Sequence, residues 1–178
     1  MRTILITGAT GFIGSSFLQY ISAITANDPF KIVLLSSRSI DGYTCVLHRN
    51  YRFTKEDFTT KGITDIDTVI HIGAYIPKST AETNAYDENI SNVTNTDHLL
   101  RNLPSIPRKF VFISTTDVYQ QTDKAISEDT ALQPSGFYGV CKLFCERMVE
   151  QWGKQYASVV QVLRLGHIYG QGEEAYKK

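Results

Sequence analysis

The chain has 178 residues, 42% of them hydrophobic and 20% charged, with eighteen Lys and Arg against eighteen Asp and Glu. That length fits one domain, the composition excludes a disordered or collagen-like chain, and a net charge of zero leaves no electrostatic footprint for nucleic acid or an anionic membrane surface. No apolar run approaches the roughly 20 residues that cross a bilayer, and three cysteines without metal-ligand spacing point to reduced thiols in a cytoplasmic protein with no signal peptide.

Short β-branched runs alternate with longer amphipathic ones. Arg2 to Thr7 reads as a strand. Phe12 to Ile24 has apolar residues at helical spacing, and Asn27-Asp28-Pro29 breaks the pattern. Lys31 to Leu35 is a near-continuous apolar run, as in a strand buried on both faces. Val46 to Phe53 is a weaker third strand and Thr68 to Ala74 a fourth. Asp87 to Leu103 reads as a helix closed by Pro104, and Lys109 to Ser114 as a fifth strand. Residues 120 to 135 are polar and read as loop, Phe137 to Tyr156 as a helix and Ser158 to Leu165 as a sixth strand. Strands alternating with helices imply parallel βαβ units: an α/β, doubly wound Rossmann sheet with helices on both faces, filling residues 1–178 as one dinucleotide-binding domain.

Gly8-Ala9-Thr10-Gly11-Phe12-Ile13-Gly14 lies between the first strand and the first helix. Gly8 permits a tight turn, Gly11 lets a phosphate approach the backbone, and Gly14 lets the helix pack against the sheet. The free N–H groups and positive end of that helix favour a pyrophosphate. The alternative is a packing turn with no ligand.

At the end of the second strand, an acidic residue would bind the adenosine ribose 2′-OH and repel a 2′-phosphate. Leu35-Ser36-Ser37-Arg38 stands there instead, with Ser36 22 residues after Gly14. Serine hydroxyls serve a hydroxyl or a phosphate, and Arg38 can pair with a phosphate, which leans toward NADP over NAD. The alternative is that Arg38 points to solvent.

Tyr138 and Lys142 are four residues apart and share a helical face. An ammonium near a phenol lowers its pKa from about 10 and lets it exchange a proton near neutral pH. Alone, that pair is more often a surface contact. The fifth strand ends in Ser114-Thr115-Thr116-Asp117, at the carboxyl edge where a doubly wound sheet meets its ligands. A Thr115 hydroxyl there can fix a substrate oxygen beside the phenol; a strand-end cap is its alternative role.

Of the remaining residues, His71, His98 and His167 have no metal-ligand spacing, and His48 lies with Arg49 and Arg52 in a basic stretch that reads as a solvated face. Cys141 and Cys145, four apart on one helix, suit packing better than redox chemistry. Tyr75 follows the fourth strand as a wall residue or a nicotinamide neighbour.

Assembled in this order, the motifs resemble the extended short-chain dehydrogenase/reductase family, in its NAD-dependent epimerase/dehydratase branch, over residues 2 to 172. Ile4 to Gly14 is similar to the family's opening, Val69-Ile70-His71-Ile72-Gly73-Ala74 to its fourth-strand motif, and Phe137 to Lys142 to its active-site helix. Arg164 to Gly170 resembles the sixth-strand motif, with His167 where Asn is usual. Thr116-Asp117 stands where the dehydratases carry Asp-Glu, a departure that argues against water elimination.

The resemblance implies hydride transfer between NAD or NADP and a nucleotide-sugar carbon, as in a 4-epimerase or 4-reductase. Tyr138 would be the acid/base, Thr115 its hydroxyl partner and Lys142 the pKa tuner. It further implies cofactor contacts from Ile72, Gly73, Ala74, Asn89, Ser114, Leu165 and His167, with Asp57 and Phe58 flanking the adenine. A homodimer through helices 87–103 and 138–156 is also implied. The family's seventh strand and carboxyl-terminal substrate lobe have no counterpart in these 178 residues. The expectation is a cofactor-binding half with little turnover of its own, the other reading being a non-catalytic dinucleotide-binding module.

Overall fold

The computed structural model describes residues 2–24 and 30–173; the Asn27-Asp28-Pro29 break lies outside them. In chain order the elements are β1 (Arg2–Thr7), α1 (Phe12–Ile24), β2 (Phe30–Ser36), β3 (Thr44–Leu47), α2 (Lys55–Thr59) and β4 (Thr68–His71), followed by α3 (Thr80–Thr83), α4 (Tyr86–Asn102), β5 (Lys109–Thr115), α5 (Phe137–Tyr156) and β6 (Val159–Leu165). The strands form one parallel sheet in the order β3-β2-β1-β4-β5-β6. The chain winds outward in one direction from β1 and in the other from β4. The point where direction reverses, between β1 and β4, is where a crevice opens at the carboxyl ends of the strands.

The alternation along each strand decides the two cores. Leu5, Val33, Leu35, Val69, Phe110 and Phe112 face the side covered by α4 and α5, where Leu99, Leu103, Cys145 and Val149 meet them. Ile4, Ile6 and Leu34 face the other side, against Leu18 and Ile21 of α1. Each fully buried side chain of this size contributes about 1.5–3 kcal/mol. At the far end of α5, a Cβ on Gly153 would lie 2.3 Å from Val160 Cγ2, so glycine sets how closely the helix approaches β6.

Two expected strands are shorter in the structure, each for a local reason. The third ends at Leu47 rather than Phe53, because Asn50 and Tyr51 take positive φ values of 50° and 58° and fold the chain back through an Arg49–Arg52 bridge. The fourth ends at His71 rather than Ala74, since the Gly73 N–H leaves the ladder and donates to Thr7 Oγ1 at 3.0 Å. Two short helices in stretches to which the sequence assigns no element carry local caps. Asp57 accepts the Thr54 N–H at 2.7 Å before α2, and Ser79 Oγ accepts the Glu82 N–H at 3.2 Å before α3.

Candidate active site

The carboxyl ends of β1, β4, β5 and β6 open into a cavity of about 740 Å³. Its floor is the glycine turn. Gly8 has φ 72°, and a Cβ there would lie 2.5 Å from the Gly73 nitrogen, so the β1 and β4 loops pass in backbone contact. A Cβ on Gly14 would lie 2.1 Å from the Gly8 carbonyl oxygen, which fixes α1 against the turn. A Cβ on Gly11 would meet little beyond that same oxygen, at 3.4 Å. Gly11 thus keeps open a cradle that a side chain would fill, beside Phe12 and Ile13 at the amino end of α1. A pyrophosphate fits the space that Gly11 leaves open at the amino end of α1.

One wall of the cavity comes from Ile72, Gly73 and Ala74 after β4. A polar relay holds that loop. The Thr7 hydroxyl, accepting from Gly73, pairs with His71 Nδ1 at 2.7 Å; His71 Nε2 lies 3.2 Å from Thr96 Oγ1, whose hydroxyl donates to the Asn92 carbonyl at 2.7 Å. Asn92 then clamps Tyr75 from both sides, accepting its N–H at 2.7 Å and donating to its carbonyl at 3.0 Å. His71 is buried and pushed down to about 3, first by burial and then by the Lys142 charge, so it is a neutral structural relay. Asn92 has no signal in the sequence, because its partner is backbone 17 residues away.

The opposite wall carries Ser114 and Thr115 of β5, Tyr138 and Lys142 of α5, and Leu165 and His167 at the end of β6. A Cβ on Gly139 would lie 2.3 Å from the Asp117 carbonyl oxygen, so the first turn of α5 is pressed against the 3-10 turn that follows β5. Asn84 Oδ1 accepts the Phe137 N–H at 3.1 Å and caps the same end. These contacts put Tyr138 beside the end of β5. The Thr115 hydroxyl accepts the Asp117 N–H at 3.2 Å, so the strand-end cap and a place in the cavity wall coincide in one side chain.

Lys142 is buried, donates to the Ile113 carbonyl at 2.7 Å and lies 4.3 Å from the centre of the Phe112 ring. Burial pushes its pKa down to about 8, against the opposing pull of Cys145 and Glu146. The Tyr138 phenol departs from expectation: burial, then the Asp117 and Cys145 charges, push it up rather than down. The ammonium is engaged by a backbone carbonyl, and burial together with the Asp117 charge opposes ionisation of the phenol. In this geometry Tyr138 is a protonated donor. Cys145 is buried in the core, donates to the Asn92 carbonyl at 3.5 Å and is pushed up to about 11, mainly by burial, which fits the packing role.

A second cavity of about 230 Å³ shares Gly8, Thr10, Gly73 and Ala74 with the first and extends it along β2. Ser36 and Ser37 line it, as do His48, Tyr51 and Asn95. His48 is therefore not on a solvated face: the left-handed turn at Asn50 and Tyr51 folds it inward. Ser36 is buried, and its Oγ accepts the Arg38 N–H at 3.3 Å. Arg38 is exposed one residue beyond the lining.

Three expected cofactor contacts lie elsewhere. Asp57 caps α2 through the Thr54 N–H, and Phe58 is fully buried in the core, and neither lines either cavity. Asn89 is buried and donates to the carbonyls of Glu82, Thr83 and Ala85, at 2.8, 3.3 and 2.6 Å, tying α3 to α4.

The sequence profile of the NAD dependent epimerase/dehydratase family matches residues 4–178. The chain belongs to that family. It is 28% identical over 197 residues to the dTDP-D-glucose 4,6-dehydratase of Dictyostelium discoideum, covering 96% of this chain and 44% of the relative. It is 27% identical over 185 residues to YtcB of Bacillus subtilis, an uncharacterized UDP-glucose epimerase by name, covering 94% of this chain and 57% of that one. Among solved structures, the UDP-glucuronic acid 4-epimerase of Bacillus cereus in complex with NAD superposes with a TM-score of 0.75 at 27% identity, over 95% of this chain and 58% of that one. The chain thus spans about half the length, or less, of the relatives it matches. The family member is α/β with a Rossmann-type parallel sheet, and no described helix is long and apolar enough to cross a membrane.

Proposed function

We propose that these 178 residues are the cofactor-binding half of an NAD(P)-dependent nucleotide-sugar 4-epimerase or 4-reductase. The carrying observation is that Thr115, Tyr138 and Lys142 meet in one cavity with the Gly8–Gly14 turn. A pure binding module has no need of that set. The cradle left open by Gly11 fits a dinucleotide pyrophosphate, and a nicotinamide bound in this cavity would supply the hydride acceptor or donor. Tyr138 holds a proton for the oxygen on the reacting sugar carbon, and its raised pKa suits donation, the reductive half of the chemistry. Thr115 orients that oxygen and Lys142 anchors the base of the site. Thr116 supplies no carboxylate beside Asp117, which weighs against a dehydratase.

The same reading includes a homodimer through α4 and α5. Tyr86, Val140 and Phe144 are 64%, 45% and 58% exposed on those helices, an apolar outer face of the kind an interface covers. Phe144→Glu shifting a dimer to monomer in sedimentation is the expected result.

A second reading, a dinucleotide-binding module without turnover, is favoured by the engagement of Lys142 with the Ile113 carbonyl and by the burial that pushes the Tyr138 phenol up, which leave the pair unactivated. Calorimetric titration of the folded chain with NADH and NADPH tests both. Binding that survives Tyr138→Phe, with negligible turnover of UDP-sugars by the 178 residues alone, supports the proposed half. Failure of both cofactors to bind removes both readings, and robust turnover removes the second.

A further inference from the structure

The side cavity along β2 has a donor pattern that goes one step beyond dinucleotide binding. Resting on the proposed cofactor site, we infer that this cavity takes a 2′-phosphorylated adenosine, that the chain prefers NADP(H) to NAD(H), and that Ser37, Arg38 and His48 are the selecting residues.

The lining holds no carboxylate: Thr10, Ser36, Ser37, His48, Tyr51 and Asn95 are its polar members. A carboxylate is the group that grips a ribose 2′-OH and repels a phosphate in that place. Asp41, the nearest acid in sequence, lines neither cavity.

His48 is fixed as a donor. The Tyr51 backbone N–H donates to its Nδ1 at 3.2 Å, so the proton of the neutral ring sits on Nε2. The His48 backbone N–H donates to the Ser36 carbonyl at 3.0 Å, which holds the residue beside the end of β2. The ring packs 5.1 Å from Tyr51, and partial burial lowers its pKa and favours the neutral form.

Charge comes from Arg38. Its backbone N–H is held by Ser36 Oγ, which sets the turn, while its exposed guanidinium forms no ion pair among the described residues. Arg49 and Arg52, flanking the His48–Tyr51 turn, likewise form none among them. A 2′-phosphate therefore meets hydroxyl, imidazole and guanidinium donors with no opposing acid in the lining.

The test is calorimetric titration of the 178-residue chain with NADPH, NADH, 2′,5′-ADP and 5′-AMP. One charge-assisted contact predicts tighter binding of NADPH over NADH, and of 2′,5′-ADP over 5′-AMP, by about tenfold or more. Arg38→Ala, an exposed change, is expected to erase the preference by weakening NADPH far more than NADH. Ser37→Asp is expected to reverse it. Equal affinities, or an NADH preference, overturn the inference and leave the dinucleotide site standing. A preference that survives both substitutions overturns the assignment to these residues. Failure of every ligand to bind a chain shown folded by circular dichroism overturns the inference together with the site reading beneath it.

Discussion

Arg164 of β6 closes on Glu146 of α5 with Nη2 2.7 Å from Oε2 and Nε 3.0 Å from Oε1. Ser114 Oγ donates to the same Oε1 at 2.5 Å, and Arg164 Nη1 donates to the Tyr119 hydroxyl at 2.9 Å. Glu146 is fully buried, one turn beyond Lys142 on the same helix. The cluster therefore ties α5 to β6 and to the residue next to Thr115. Removing one partner of a buried pair strands the other charge and costs about 3–5 kcal/mol. Glu146→Leu and Arg164→Met are each expected to lower stability by that order in urea unfolding. The double variant should recover a substantial part, because no unpaired charge remains. A double variant as unstable as the sum of the singles contradicts this account.

Gly139 decides how near Tyr138 comes to the end of β5. A Cβ there would lie 2.3 Å from the Asp117 carbonyl oxygen and 2.8 Å from Pro134 Cβ, and backbone cannot yield as a flexible side-chain tip does. Gly139→Ala gains helix propensity of about 1 kcal/mol but must displace the first turn of α5. The expected outcome is a net destabilisation of about 1–3 kcal/mol, the usual range for overpacking. Denaturant midpoints check it, and a variant as stable as the parent or more so removes the steric argument.

Most of the sheet was legible in the sequence because β1 and β2 are apolar runs buried on both sides, β5 is an apolar run with one face fully buried, and the glycine turn sits at the first strand–helix junction. What was not legible depends on non-local contact. The third strand looked longer because nothing in His48-Arg49-Asn50-Tyr51 announces two consecutive left-handed residues. That turn is also what carries His48 from an apparent solvated face into the side cavity. Asp57 and Phe58 were expected at the adenine by the family resemblance, and the structure places them in a helix cap and the core. The short helices were readable after all: Thr54-Lys55-Glu56-Asp57 and Ser79-Thr80-Ala81-Glu82 are capping sequences. The Tyr138 pKa direction was beyond any spacing argument, since it turns on the burial of the phenol and on Asp117, which is 21 residues away.

Lys142 is a charge kept in the interior for its position. Its pKa near 8 in the folded chain lies below the ordinary 10.5, so the folded state gives up its proton before the unfolded state does. Stability therefore rises with pH from about 8 to 10.5, and below pH 8 the full penalty stands, of order 3 kcal/mol. Lys142→Met, which keeps the stem and removes the charge, should be as stable as the parent or more so at pH 7. Its advantage should shrink as pH rises through that window. Thermal melts of both proteins at pH 7, 8.5 and 10 read this directly, and a constant difference across the series rules it out.

His71 gives the opposite face of the pH profile. Its folded pKa of about 3 lies below the ordinary 6.5, so the unfolded chain binds a proton across that interval and the folded chain does not. Stability is complete above pH 6.5 and falls as pH drops toward 3, by about 2 kcal/mol between pH 6.5 and 5 at 1.36 kcal/mol per unit. The loss has a structural endpoint. A proton on Nδ1 breaks the hydrogen bond from Thr7, and with it the relay that holds Gly73 and, through Thr96 and Asn92, Tyr75. His71→Gln retains hydrogen-bonding groups without a titrating nitrogen. It should be less stable than the parent at pH 7.5, yet flatter between pH 6.5 and 5 in urea midpoints. Equal slopes for the two proteins would assign the acid sensitivity to the carboxylates instead.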